Sequence, residues 1–515
     1  MANRYLVGID VGTTGTKTII FDCEGQIVSV GYTEYTCHYP QPNWVEQDAE
    51  ELIEAVFTTN RQALKNGGID PSQIASIAAS SQRACCVFVG HDDKPLKMIS
   101  WQDNRTAEEV AEIDSKLGSD EYYRITGMPN TPTWILPKIL YVRNKEPELW
   151  EKTKKHVQLQ DVILKAMGAD DYYTDESGIA LSGCWDTDNI CWSDKIIDTF
   201  GVDRDMLAKV LPSGTHVGGI SKEASERGGF LEGTPICMGI GDQNSAAIGA
   251  GVVYPGMLSV SLGTGGMAVA FLDENYRDPS GKTIICNHAL HGKWQFEGLQ
   301  NGAAGVFRWF RDEIATLEKV QAEADGTDVY AKLNEMIADI PVGSGGLLCM
   351  PYLAAAASPR WNLDARGMFV GLTFSHGKAN MAKACLEGIA LEQKDIIHSI
   401  KANDIKVDKA RIIGGATKSE IWNQIQADAY DMPTETLKVK DAGSLGSAMC
   451  GAVGIGLYKD VREAADDLVK FDKRYEPIPE NVKIYEELYG IYSDIYDALD
   501  KNGAYSRLSR MQEAN

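Results

Sequence analysis

A repeated pair of short strands constrains the fold more than any other feature of this 515-residue sequence. The first copy, VGIDVGTTGTKTIIFD, is an apolar run, a tight turn of glycine and threonine, and a second apolar run that ends in aspartate. The second copy, MLSVSLGTGGMAVAFLD (Met257–Asp273), repeats this order. Aligned on the turn, residues 12–15 (GTTG) match residues 263–266 (GTGG), and Asp10 matches Ser261. An internal repeat of this kind predicts a duplicated domain in which only the first copy keeps the carboxylate.

The length of the chain agrees with two domains. A chain of 515 residues with 44% hydrophobic residues is too long for one core. Strand and helix signals alternate throughout, which is typical of α/β layers. We therefore predict an N-terminal domain over residues 1–246 and a C-terminal domain over 247–515. The C-terminal domain ends in an amphipathic helix with a tyrosine face, YEELYGIYSDIYDALDKN.

Composition excludes some classes of protein. The formal net charge of -23 argues against a nucleic-acid binder, which needs a basic face. The N-terminus has no apolar signal-peptide segment, and no run of about 18 apolar residues occurs anywhere in the chain. We therefore expect a cytoplasmic protein that binds neither nucleic acid nor a membrane.

The two turns are suited to phosphate. A turn rich in glycine and threonine offers backbone N–H groups and hydroxyls to a phosphate, and Lys17 adds a point charge. Asp10 suits Mg²⁺, which prefers one or two carboxylates together with waters and phosphate oxygens. A plain β-hairpin with a polar turn is the alternative for either copy alone. The duplication, with the carboxylate in one copy only, favours a phosphate site.

Two further segments carry possible chemistry. Asp242, in GDQNSAAIGAG, follows a strand-like run and could take the proton from an attacking hydroxyl, or it could simply cap a helix. Gly414-Gly415 lies between a short strand and a helix, an arrangement that can hold a nucleotide and that is also a common tight turn. The sequence contains no GxxxxGK[ST] motif and no strand-linked GxGxxG motif, which disfavours a P-loop NTPase and a Rossmann dehydrogenase.

With these motifs in place, nearly the whole chain resembles the FGGY carbohydrate kinases. GIDVGTTGTK resembles the first phosphate loop of that family, GDQNSAAIGAG its catalytic-aspartate motif and SLGTGG its second phosphate loop. NWVEQD, WQDNR, GMFVGLTFSHGKANMAKACLEGIA and GGATKSEIWNQIQAD are similar to further family elements. The resemblance implies duplicated actin-like (ribonuclease-H-like) ATPase domains that flank a central cleft, with ATP and Mg²⁺ as cofactors. It also implies an ATP-dependent phosphotransferase with an alcohol group as acceptor, which would transfer the γ-phosphate of ATP to a primary hydroxyl of a small sugar.

The resemblance also implies roles for individual residues. Asp242 would be the general base, and Asp10 would hold Mg²⁺. The transferred phosphate and the nucleotide would be bound by Thr13, Thr14, Lys17, Gly263, Thr264, Gly305, Gly414, Gly415 and Asn423. The sugar would be bound by Gln82, Arg83, Trp101, Asp103 and Asp242. Arg83 has the alternative role of a structural ion-pair arginine.

The chain departs from the family at informative positions. Ala416 follows Gly414-Gly415 where a third glycine is usual, and Tyr141 stands where tryptophan is usual. Ala84 replaces the glutamate of glycerol kinases, which favours a pentulose such as xylulose as the substrate. Glycerol, another polyol and an autoinducer-2-like diol are the alternatives.

The same fold also serves actin-like and chaperone ATPases and could serve a sugar sensor without catalytic activity. The retained Asp10 and Asp242 argue against a non-catalytic sugar sensor, and WQDNR argues against a filament or chaperone ATPase. A homodimer is a further expectation that rests on the resemblance alone.

Overall fold

The computed structural model describes residues 5–513, which fold into two compact units made of interleaved chain segments. The first unit contains the chain up to Tyr254 together with Phe271–Gln295 and Asp441–Lys470. The second contains Pro255–Ala270, Phe296–Lys440 and the chain from Phe471 onward. The chain thus returns to the first unit twice after first leaving it at Tyr254. The N-terminal domain predicted over residues 1–246 and the C-terminal domain predicted over 247–515 stay predictions.

Both units are mixtures of strand and helix. The strands are Tyr5–Val11, Gly15–Phe21, Ile27–Glu34, Glu46–Gln47, Ile74–Ser81, Cys86–Gly90, Pro95–Ile99, Thr153–Val157, Tyr173–Asp175, Trp185–Asp186, Cys191–Trp192, Lys209–Leu211, His216–Gly219, Pro235–Cys237, Gly256–Leu262, Gly266–Leu272, Ile284–Asn287, Trp294–Gln300, Leu348–Met350, Met368–Val370, Val407–Ile413, Thr434–Leu437 and Phe471–Tyr475. The α-helices are Ala49–Gly67, Ala107–Leu117, Ser119–Thr126, Ile135–Lys145, Pro147–Lys152, Leu159–Met167, Glu176–Ile179, Asp194–Phe200, Lys222–Gly228, Asp242–Gly249, Ala304–Trp309, Thr316–Asp325, Val329–Ile337, Lys378–Ala402, Glu420–Tyr430, Ala442–Gly454, Val461–Leu468, Pro479–Lys501 and Ala504–Glu513. Short 3₁₀ turns occupy Pro71–Gln73, Ala180–Ser182, Arg204–Met206 and Gly415–Lys418, and Phe310–Ile314 is a π-helical turn.

The first unit is built on a six-stranded sheet. Its apolar strand Tyr5–Val11 pairs antiparallel with Gly15–Phe21 through the predicted turn and parallel with Ile74–Ser81 on the other side. Ile74–Ser81 in turn pairs parallel with Pro235–Cys237. The strand Tyr5–Val11 is buried along most of its length, as expected of a parallel strand covered on both faces.

The second unit repeats this topology. Gly256–Leu262 pairs antiparallel with Gly266–Leu272 and parallel with Val407–Ile413. Val407–Ile413 pairs parallel with Thr434–Leu437. Each unit therefore has a hairpin whose first strand also pairs with a parallel strand from further along the chain. The duplication predicted from the two turns is confirmed by this shared topology.

Two helices show how the sequence sets their ends and their buried faces, and one of them is the predicted tail helix. Ala49–Gly67 begins after Asp48, whose side chain accepts a hydrogen bond from the N–H of Glu50, and it ends at left-handed Gly68. The tail forms the helix Pro479–Lys501, which buries Tyr485, Tyr492 and Tyr496 on one side. None of the helices within residues 5–513 combines the length and apolar character that a membrane span requires.

Candidate active site

Three adjacent parallel strands of the first unit bring the predicted chemistry together. Asp10 lies at the end of its strand, level with Ser80 in the neighbouring strand. Ser81 forms a parallel bridge with Gly241, the residue before Asp242. Ligands of open α/β sheets bind beyond the carboxyl ends of the strands. The two predicted acidic residues thus stand at the edge of the sheet where such a ligand is expected.

Asp10 is a half-buried carboxylate in an electrostatically costly position. Its Oδ1 accepts a hydrogen bond from Ser80 Oγ at 2.9 Å. Burial and, after it, the negative charge of Asp242 raise the pKa of Asp10 to about 6, although Ser80 and Lys17 act in the opposite direction. A buried carboxylate near another carboxylate is stabilised by a cation. The chemistry of this pair of residues therefore fits a divalent ion.

Lys17 lies directly across the hairpin from Asp10, but its ammonium group has another partner. Lys17 Nζ is 2.5 Å from Asp441 Oδ1, and both side chains are about one-third exposed. Asp441 immediately precedes the helix Ala442–Gly454, which belongs to the same unit. Lys17 is thus held at the strand end with its charge partly accessible to solvent.

The turn at residues 12–15 has a defined polarity, because each of its four carbonyl oxygens accepts a hydrogen bond from the protein. Tyr35 holds the first through its hydroxyl at 2.6 Å and the third through its N–H at 3.2 Å. Gln47 Nε2 holds the second at 2.9 Å, and the N–H of Gly12 holds the fourth at 3.0 Å. With its carbonyl dipoles directed into the protein, the turn presents a surface suited to an anion.

Arg83 is placed against the predicted base. Its Nε is 3.5 Å from Asp242 Oδ1, and its Nη1 donates to Asn244 Oδ1 at 3.0 Å. The arginine passes so close to Gly241 that a Cβ there would lie 2.2 Å from Arg83 Cδ. Asp242 is the first residue of the helix Asp242–Gly249 and keeps about a quarter of its side chain exposed. Arg83 therefore fixes the orientation of a carboxylate that solvent still reaches.

Trp101 and Gln82 lie against the phosphate turn. Trp101 Nε1 donates to Thr13 Oγ1 at 3.0 Å, and Thr13 Oγ1 donates to Gln82 Oε1 at 3.1 Å. Gln82 is buried, whereas Trp101 and Thr13 are half-buried and Thr14 is exposed. The structure thus joins a predicted sugar-site residue, Trp101, to a predicted phosphate residue, Thr13.

Asp103 belongs to a different cluster. Its carboxylate is fully buried and is held by Arg105, with Nε at 2.9 Å from Oδ1 and Nη2 at 2.7 Å from Oδ2. The N–H of Val45 donates to Oδ2 at 2.6 Å. Arg105 also contacts Glu46 at 2.8 Å and lies 3.9 Å from the centre of the Trp44 ring. The Asp103 carboxylate therefore fastens the segments NWVEQD and WQDNR to each other.

In the second unit, the second glycine-threonine loop is fastened through Thr264. Its carbonyl oxygen accepts from the N–H groups of Ala303 at 3.0 Å and of Gly305 at 3.1 Å. A Cβ on Gly305 would lie 2.7 Å from the same oxygen. The N–H of Gly263 donates to Gly265 O at 2.9 Å. Gly305, predicted to line the nucleotide, thus also supports the loop at Thr264.

The glycine pair of the second unit forms an open loop after the strand Val407–Ile413. The carbonyl of Gly414 accepts from Thr417 Oγ1 at 2.8 Å, and a Cβ on Gly415 would have no neighbour within 4 Å. Asn423 is buried, and its Nδ2 donates to Thr417 O at 3.1 Å. Asn423 therefore holds the loop from beneath, and Gly415 leaves its surface clear.

Sequence reasoning did not assign roles to several residues that shape this site. Asn244 and Gln47 lie within quoted motifs but carry no carboxylate or cation to mark them. Asp441 reaches Lys17 across 424 positions of sequence, which no local pattern reveals. Lys138 is fully buried, and its Nζ donates to Ala84 O at 2.7 Å and to Thr133 O.

Ala84 has a φ of 57°, a left-handed conformation that is costly for a residue with a Cβ. Burial lowers the pKa of Lys138 to about 8. A basic residue one turn into a helix that begins at Ile135 is an ordinary surface signal, so the sequence alone gives no reason to single out Lys138.

The two sheets of equal topology, with acidic residues at the strand ends of one unit and a glycine-threonine loop in the other, define a duplicated kinase fold of mixed helix and sheet. Residues 5–249 match the N-terminal domain of the FGGY family of carbohydrate kinases, and residues 258–455 match its C-terminal domain. The chain belongs to the FGGY family of carbohydrate kinases. The resemblance and the fold class predicted from the sequence are thereby confirmed, as is the prediction of an ATP-dependent phosphotransferase that acts on an alcohol group.

Individual relatives cover nearly the whole chain. A gluconokinase of Bacillus subtilis (strain 168) is 30% identical over 513 residues, which cover 99% of this chain and 98% of that protein. An autoinducer-2 kinase of Photorhabdus laumondii is 29% identical over 507 residues, 96% of this chain and 94% of that protein. The structure of ligand-bound xylulose kinase from Lactobacillus acidophilus superposes with a TM-score of 0.88 at 27% identity, covering 98% of this chain and all of that one.

Proposed function

We propose that the protein transfers the γ-phosphate of ATP to a primary hydroxyl of a small open-chain sugar, with Asp242 as the general base. The observation that carries this proposal is the Arg83–Asp242–Asn244 cluster beside Asp10 at the ends of adjacent strands. Carbohydrate kinases need one carboxylate for the attacking hydroxyl and positive charge for the transferred phosphate. This arrangement supplies both within one unit.

The reaction follows from these positions. Asp242 takes the proton of the sugar hydroxyl while the oxygen of that hydroxyl forms a bond to the γ-phosphorus. The bond from that phosphorus to the bridging oxygen breaks, and ADP leaves with the electron pair. Arg83 holds the Asp242 carboxylate toward the hydroxyl, and Lys17 and the turn at residues 12–15 stabilise the oxygens of the transferred group.

Asp10 would hold Mg²⁺, which supplies charge neutralisation on the triphosphate when bound. The raised pKa of Asp10 supports this role, because Lys17 and Ser80 offset only part of the effect of burial and of the Asp242 charge on this carboxylate. We assign the nucleotide to the second unit, through Gly263, Thr264, Gly305, Gly414, Gly415 and Asn423. This assignment keeps residues 1–246 as the sugar-binding part of the chain and 247–515 as the ATP-binding part.

For the sugar itself, we propose a pentulose such as xylulose, because Ala84 stands where glycerol kinases have glutamate. The likeness to a xylulose kinase structure supports this choice. Gluconate is a second candidate, favoured by the gluconokinase that shares 30% identity over 99% of the chain. An autoinducer-2-like diol is a third candidate, from the autoinducer-2 kinase relative. Both a ketose and an aldonate carry the primary hydroxyl that the mechanism requires.

ATP consumption across a panel tests both levels of the proposal. The panel contains D-xylulose, D-ribulose, D-gluconate, glycerol and the autoinducer-2 precursor diol, with Asp242→Asn as the matched blank. We expect one substrate to exceed the others in kcat/KM by at least about tenfold and the variant to lose about three orders of magnitude in kcat. Near-full activity of Asp242→Asn would remove Asp242 from the mechanism.

A further inference from the structure

Three residues of the first unit, Thr13, Gln47 and Gln82, form a closed ring of hydrogen bonds that includes the phosphate turn, and Trp101 is bonded to this ring. Gln47 Nε2 donates to the carbonyl of Thr13 at 2.9 Å. Gln82 Nε2 donates to Gln47 Oε1 at 2.8 Å. Thr13 Oγ1 then donates to Gln82 Oε1 at 3.1 Å, which closes the ring, and Trp101 Nε1 donates to Thr13 Oγ1 at 3.0 Å.

The hydrogen bonds of the ring all run in one direction: Gln47 donates to Thr13, Thr13 donates to Gln82, and Gln82 donates back to Gln47. The indole N–H of Trp101 can only donate, so Thr13 Oγ1 accepts from it and gives its own proton to Gln82 Oε1. This fixes the amide of Gln82, which in turn fixes the amide of Gln47. Gln47 and Gln82 are 3% and 1% exposed. Their buried amides are costly to leave unpaired, so breaking one bond affects the others.

We propose that Gln47 and Gln82 are positioning residues that make the conformation of the phosphate turn depend on the sugar pocket through the indole N–H of Trp101. In this inference Gln82 acts on Thr13 rather than on the sugar, because both ends of its amide are engaged within the ring. Trp101 is half-buried, and its indole is the part of this arrangement that a bound sugar can touch. The inference rests on the proposed role of the turn in phosphate transfer.

The coupling has a kinetic consequence. A bound sugar that contacts the Trp101 indole strengthens the hydrogen bond from Trp101 Nε1 to Thr13 Oγ1. This hydrogen bond then holds the turn at residues 12–15 in the conformation that binds the γ-phosphate. Loss of the ring should therefore reduce kcat more than it raises the KM for the sugar. A residue that only stabilises the fold would reduce the amount of active enzyme without this split, and a residue that only binds the sugar would act on KM.

A double-mutant cycle tests the inference. Gln47→Leu removes both ring bonds of Gln47, and Trp101→Phe keeps an aromatic wall but removes the N–H. Each single variant should lower kcat about 10- to 30-fold and change the sugar KM less than about threefold. The double variant should be scarcely slower than either single one, because each change releases Thr13 from the same set of linked hydrogen bonds. Gln73→Leu, which removes one surface hydrogen bond that the N–H of Asp70 donates to Gln73 Oε1, should match the wild type.

Gln47→Glu guards against misfolding of the leucine variant. A carboxylate still accepts from Gln82 but cannot donate to Thr13, so its kcat should fall as in Gln47→Leu. Circular dichroism and thermal melting identify any variant that fails to fold, and Trp101→Phe then carries the test. Multiplicative effects in the cycle, or a Trp101→Phe variant affected only in KM, would refute the ring.

The two levels of proposal fail differently. A wild type that consumes no ATP with any sugar of the panel would defeat the proposed function. An active wild type, together with an inactive Asp242→Asn variant and a multiplicative cycle, would defeat only the ring.

Discussion

Replacing Asp10 by asparagine should stabilise the protein while it abolishes activity. Asp10 is a half-buried carboxylate whose pKa is raised from 3.8 to about 6 by burial and by the charge of Asp242. The folded state therefore disfavours its ionised form. An asparagine has almost the same shape, keeps the acceptor for Ser80 Oγ, and carries no charge. Active sites commonly hold such destabilising groups because catalysis requires them.

The size of the effect follows from the pKa. The rise in the pKa of Asp10 from 3.8 to about 6 corresponds to a destabilisation of the folded state by at most about 3 kcal/mol at neutral pH, at about 1.36 kcal/mol per pKa unit. Partial exposure of Asp10 and the new amide N–H groups reduce the expected gain to about 2 kcal/mol. In a large domain this is a rise in melting temperature of roughly 4 °C.

The pH dependence of the folding stability tests the sign of this effect independently. The folded state binds the Asp10 proton more tightly than the unfolded state, so stability falls as pH rises between about 4 and 6 and is level above that. The advantage of Asp10→Asn should thus be complete at pH 7.5, about half as large at pH 5, and absent below pH 4. Added Mg²⁺ with ADP should raise the melting temperature of the wild type more than that of the variant.

Differential scanning fluorimetry at pH 5 and 7.5, with and without MgCl₂ and ADP, measures all of these quantities. Asp494→Asn, on the exposed side of the helix Pro479–Lys501, is the matched surface control and should not shift the melting temperature. A variant that melts at or below the wild type at pH 7.5 in metal-free buffer would refute the electrostatic reasoning. A variant that keeps its activity would remove Asp10 from the proposed site.

Two further predictions concern the loops. Gly305→Ala places a Cβ 2.7 Å from Thr264 O and should raise the Kd for ATP about tenfold in calorimetry, whereas Gly377→Ala, which has no neighbour within 4 Å, should leave it unchanged; equal affinities in the two variants would argue against the loop assignment. Lys138→Met leaves the carbonyl of left-handed Ala84 without its buried donor and should raise the sugar KM about tenfold. A Lys138→Met variant whose sugar KM equals that of the wild type would contradict this role of Lys138.

The duplicated fold could be predicted from the sequence because its signals are local and occur twice. The turns at residues 12–15 and 263–266 mark hairpins, and the apolar runs around them mark strands that are covered on both faces. The parallel partners, Ile74–Ser81 and Val407–Ile413, also have strand-like sequences. The return of Asp441–Lys470 to the first unit could not be predicted, because nothing local marks a helix that packs against a strand more than four hundred residues earlier.

The residues of the candidate site also fall into those that could be predicted from the sequence and those that could not. Residues with charge in a motif, such as Asp10, Asp242 and Arg83, could be found from the sequence. The neutral residues that orient them could not, since a glutamine such as Gln47 gives no chemical signal until its partners are known. Asp103 shows the reverse case. Its carboxylate attracts attention in the sequence, yet the structure places it on Arg105 within a buried cluster.

This distribution of residues explains how relatives of one fold can serve different sugars. The groups proposed for phosphate transfer lie on strand ends and are fixed by backbone pairing, whereas Arg83 and Ala84 lie on the loop that follows Ser81. The conformation of that loop is set by Lys138, through a single carbonyl, and by Gly241, through close packing. Asp10 and Asp242 are held by Ser80 and Arg83 rather than by Ala84, so a change of the Ala84 side chain should alter the sugar side of this loop while both carboxylates keep their places. Substrate choice among xylulose, gluconate and related sugars should therefore follow Ala84 and its supports rather than the fold.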